Sequence, residues 1–148
     1  MRSIMIPYED NFIRKKILKN DEIQDLPMQK HIHGTAYYIL QNYKILKTPA
    51  IMDRYDNYYI MERIDTSKPI WLGDKDSCDS YDANLINDLK KEVIKFWNDM
   101  WDRNFAAWGF DLYLQPDSKV MMIGYSGFKA RCGDTIDRNL FDYPSFPK

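Results

Sequence analysis

Apolar positions recur along this chain with two different periods, and the switches between them mark out the elements. Ser3-Ile4-Met5-Ile6 and Phe12-Ile13-Arg14-Lys15-Lys16-Ile17-Leu18 are short strand-like pieces. The first is expected to stop at Pro7, and neither is long enough to stand alone, so each must pair with another strand. From Asp25, an N-cap candidate with Pro27 in the first turn, the spacing becomes three and four. Met28, Ile32, Ala36, Ile39, Leu40 and Tyr43 form one stripe, predicting a helix that ends before Thr48-Pro49. Gly34 in its middle costs up to about 1 kcal/mol relative to alanine. Period two returns in 50–54 and 58–64, joined by Tyr55-Asp56-Asn57 as a hairpin. Residues 66–81, broken by Pro69 and Gly73, are predicted to be an acidic connecting loop with an Ile70-Trp71-Leu72 anchor.

The strongest helical pattern follows. Asp82 is a good N-cap, and Leu85, Leu89, Val93, Phe96, Trp97, Met100 and Trp101 share a face over 85–105. Gly109 is expected to close that region. A second hairpin is predicted over 111–123, where Pro116-Asp117-Ser118 suits a type I turn. Strands, helix, hairpin, loop, long helix and hairpin make an α+β order, with too few β–α alternations for a doubly wound parallel sheet.

Composition narrows the function classes. At 148 residues the chain fits one domain, and 21 basic against 22 acidic residues leave no basic surplus for nucleic acid or an anionic membrane. No apolar run approaches a bilayer span, and the first ten residues do not read as a signal peptide. Cys78 and Cys132 have no metal-like spacing and read as reduced thiols, which predicts an intracellular setting. The polar and charged part of the Lys, Ile, Asn and Asp bias is what an AT-rich genome, such as that of many viruses and some bacteria, tends to encode. Aromatics reach 15%, which fills a small core with rings or supplies a contact surface.

The usual catalytic constellations are missing. His31 and His33 stand two apart on one predicted helix, point to different faces and cannot chelate together, so both read as ordinary polar helix residues. Cys78 sits among Asp76 and Asp79, which raise a thiol pKa rather than lower it. Asp74, Asp76, Asp79 and Asp82 lack the mid-loop glycine and terminal glutamate of an EF-hand in register, and read as a solvated loop. Gly124-Tyr125-Ser126-Gly127 is a turn, not a nucleophile elbow. Trp97 and Trp101, four apart, read as core. A base-stacking role for them and Trp108 would want cations where Asp99 and Asp102 stand.

One resemblance is present. The stretch from Phe12 to about Phe128 resembles the front half of the protein-kinase-like fold, in which a lysine strand, a helix, two strands, a hinge, a long helix, a catalytic loop, a short hairpin and a metal-binding Asp-Phe-Gly follow in order. Phe12-Ile13-Arg14-Lys15 resembles the lysine strand, with Lys15 or Lys16 at the lysine position, and Thr35-Ala36-Tyr37-Tyr38-Ile39-Leu40 the helix whose glutamate pairs with that lysine. Residues 48–53 and 58–64 resemble the next two strands, 85–105 the long helix, and 111–125 the hairpin. The resemblance implies a reduced kinase-like α+β architecture in one domain, 1–148: N-lobe-like 1–64, a hinge and acidic loop 65–84, and a truncated C-lobe-like 85–148. It also implies lost catalysis. The helix glutamate falls on Thr35, the catalytic-loop histidine and aspartate near Asn104 and Ala106, the metal-binding asparagine on Asp111, and the Asp-Phe-Gly on Gly124-Tyr125-Ser126. No glycine precedes Gly34 to form a phosphate loop. Lys15, Glu62 and Asp111 are therefore vestigial nucleotide-site candidates, no cofactor or metal is expected, and the partner is expected to be a protein, with no nucleic acid and no membrane. Tyr37, Tyr38, Tyr55, Tyr58 and Tyr59 are the candidate anchors for it. A residual phosphotransferase, and a structural component of a larger assembly such as a virion, are the alternatives.

Overall fold

The computed structural model describes residues 3–9, 12–17, 25–55, 58–107, 109–125 and 128–130. Its elements run β1 (Ser3–Glu9), β2 (Phe12–Ile17), α1 (Asp25–Leu40), β3 (Leu46–Lys47), β4 (Ile51–Tyr55), β5 (Tyr58–Glu62) and β6 (Pro69–Ile70). They continue with α2 (Lys75–Asp79), α3 (Ala83–Asp102), β7 (Phe105–Ala107), β8 (Asp111–Leu114), β9 (Val120–Ile123) and β10 (Phe128–Ala130). The class is mixed α+β, as the order of periods predicts.

Four strands form an antiparallel sheet in the order β1-β2-β5-β4. Ile60 and Met61, successive positions on β5, are both buried, so both faces of the sheet are covered there. Pro7 does not end β1, as the sequence led us to expect; the strand runs on to Glu9, with Pro7 paired to Ile13 and a register shift before Glu9. A proline is tolerated because β1 is an edge strand, where a missing N–H leaves no ladder bond unmade on the outer side.

The second sheet has the order β3-β9-β8-β6, with β3 parallel to β9 and the other pairs antiparallel. The hairpins predicted over 50–64 and 111–123 thus lie in different sheets. The linker between them is pinned to the end of β8. Asp65 N donates to Gln115 Oε1 at 2.9 Å, Gln115 Nε2 donates back to Asp65 O at 2.8 Å, and Leu114 N donates to Lys68 O at 2.9 Å. Hydrogen bonds from Ser67 hold the Asp65 carboxyl below the usual carboxylate range. The β8–β9 turn is the expected one, with Ser118 in the left-handed region at φ 68° closing it. The β7–β10 ribbon is a third, two-stranded unit.

Helix α3 is the central element. Asp82 caps it, accepting from Asn84 N at 2.7 Å and Leu85 N at 3.1 Å. Ile86, Leu89, Val93, Phe96, Trp97 and Met100 are buried along one face, while Leu85 is only half-buried. Trp97 and Trp101 stack at 5.2 Å. The helix ends at Asp102 rather than 105, because Asn104 takes the left-handed conformation at φ 67° and its N–H returns to Trp101 O. Gly109 therefore plays no part in stopping it.

Helix α1 ends at Leu40, well before Thr48-Pro49. The Lys47 ammonium donates to the carbonyls of Leu40, Gln41 and Tyr43 and so closes the C-terminus. The chain between α1 and β3 is fastened to α3 by one carboxylate: Glu92 accepts from Lys44 N at 2.8 Å, Ile45 N at 3.0 Å and Leu46 N at 2.8 Å. Beside it the Tyr43 hydroxyl donates to Asp99 Oδ2 at 2.5 Å, and burial followed by the Asp99 carboxylate pushes the phenol pKa upward. Charge-assisted bonds of this kind contribute about 1.5–3 kcal/mol each where buried, and less at a half-exposed site. Glu92→Ala is expected to destabilise the fold by roughly 2 kcal/mol in urea unfolding, with Glu92→Gln recovering part of the loss.

The predicted acidic loop 66–81 contains a short helix, α2, capped by Asp74 within the loop, as Asp82 just beyond it caps α3. Asp74 Oδ1 accepts from Asp76 N at 3.0 Å, and Asp82 caps α3. Their spacing serves helix termini, where a carboxylate meets free N–H groups.

Candidate functional site

Inside the fold, the densest polar construction joins α1, the segment before β4 and the end of β9. His33 is wholly buried, and its imidazole stacks on the Tyr125 ring with centroids 4.5 Å apart and planes 23° apart. His33 Nε2 lies 2.7 Å from Pro49 O. That oxygen only accepts, so Nε2 carries the proton. Thr48 is the hub: its Oγ1 donates to Met122 O at 2.8 Å, accepts from the Tyr125 hydroxyl at 2.7 Å and lies 3.3 Å from His33 Nε2. All three side chains are buried, so this network cross-links the core and presents no group to a substrate. His33, read from the sequence as an ordinary polar helix residue, is thus a bonded part of the core, whereas His31 is exposed.

The phase of α1 also differs from expectation. Its inward positions are Gln29, Ile32, His33, Ala36, Ile39 and Leu40, while Met28, assigned to the apolar stripe, is 44% exposed. Thr35 lies off that inward face, and its hydroxyl bonds back to His31 O at 3.0 Å within its own helix.

The vestigial nucleotide-site candidates are spread over two sheets. Lys15 falls in β2 opposite Tyr59, and Glu62, at the far end of the same ladder, opposite Phe12 and exposed. Asp111 begins β8, opposite Ile123, and is exposed. Its carboxylate leans on Gly124: a Cβ added there would meet Asp111 Oδ2 at 3.2 Å, and the backbone at Gly124 holds φ +93°. Only glycine takes that conformation without strain, so a side-chain carboxylate at 124 is opposed twice. Ala106 sits in β7, paired with Lys129.

Among the interface candidates, Tyr38 is 72% exposed and Tyr37 40%. Tyr55 pairs with Tyr58 at the β4–β5 turn, and Tyr59 stands opposite both Lys15 and Arg54; the side chains of these three tyrosines and of Lys15 lie outside the described residues. Cys132, Trp108 and Ser126 also lie outside them. The Cys78 thiol points at the carbonyls of Trp71 and Leu72, and burial first, with Asp79 and Asp74 adding, pushes its pKa up against the opposing Lys90.

Among the described residues, no group of three or more His, Cys, Asp or Glu side chains could hold a metal ion, and no helix is long and apolar enough to cross a membrane. No protein-family model, curated protein or solved structure matches the chain.

Proposed function

We propose that this chain is a non-catalytic, pseudokinase-like binding or assembly protein that acts through contacts with another protein. The reading rests first on order. A strand carrying Lys15, helix α1, strands β4 and β5, a pinned linker, the long helix α3 and the β8–β9 hairpin follow the sequence of elements in the kinase-like fold the chain resembles. The observation that carries the loss of chemistry is at Gly124. Where that fold keeps a metal-binding aspartate, the chain has a glycine at φ +93° with the Asp111 carboxylate against it. Phosphoryl transfer is mostly positioning and electrostatic stabilisation by a lysine, metals and their carboxylates. With Thr35 for the glutamate and Ala106 for the base as well, several parts of one unit are absent together, and such losses leave almost no residual rate.

What remains for selection is surface, and Tyr37 and Tyr38 offer large rings at low entropy cost. The test is calorimetric titration of the purified protein with ATP and magnesium, with no heat of binding expected. Micromolar binding abolished by Lys15→Ala would defeat this reading and promote a phosphotransferase working through Lys15, Glu62 and Asp111.

A further inference from the structure

We draw no further inference here: the strongest candidate, the cavity of about 480 Å³ between α2 and the first two turns of α3, is lined by a lone cysteine, Cys78, and nothing in the structure shows what fills it.

Discussion

Phe96→Ala is expected to cost about 3–5 kcal/mol in urea unfolding, enough to leave little of a domain of ordinary stability folded. The ring is 1% exposed at the middle of α3 and packs edge-on to Tyr43 at 6.4 Å and Phe128 at 6.2 Å. Those two residues come from the segment after α1 and from β10, so the ring joins α3 to parts of the chain distant in sequence. A cavity at such a junction cannot be refilled by one neighbour moving, since close-packed interiors relax only in part. Ile94, two residues earlier and 52% exposed, is the control: Ile94→Ala should stay within about 0.5 kcal/mol. A near-normal transition for Phe96→Ala would mean that this face of α3 is not the core.

That expectation was already legible in the sequence, because α3 joins a capping aspartate to a clean apolar face with charge behind it. Helix α1 was legible as an element and not in its phase. Met28, Tyr37 and Tyr38 are apolar or aromatic and point outward, so its hydrophobic residues ring the helix and the period alone does not say which side is inside. The strands β3, β6, β7 and β10 have two or three residues each, too few for any alternation to register. They exist because a partner strand is present, and that is tertiary information. Pro7 misled for the same reason, since whether a proline ends a strand depends on whether that strand lies at an edge.

The buried network was hidden in a different way. Thr48 Oγ1 reaches His33 across 15 residues and Tyr125 across 77, and no spacing rule connects an unremarkable threonine before a proline to a tyrosine after a distant hairpin. The near-equal charge count was legible in the sequence. Gly34 is a helix defect in the sequence, and in the fold a Cβ there would meet nothing within 4 Å among the described residues.

Thr48→Val is expected to destabilise by roughly 2–4 kcal/mol although it preserves shape, because each buried polar group left without its bond costs about 1–3 kcal/mol. Thr48 Oγ1 both donates and accepts, so the valine takes the donor from Met122 O and the acceptor from the Tyr125 hydroxyl in one step. Tyr125→Phe removes the hydroxyl that donates in the 2.7 Å bond to Thr48, while Thr48 keeps its own bond to Met122 O and the stacked ring stays on His33, so its cost should be about 1 kcal/mol. In the double variant the bond between the two side chains has already been lost once, and the combined effect should fall short of the sum by roughly 0.5–1 kcal/mol. Equal costs for the two single variants, or strict additivity, would show that Thr48 is not the hub through which α1, the β4 lead-in and the end of β9 are tied together.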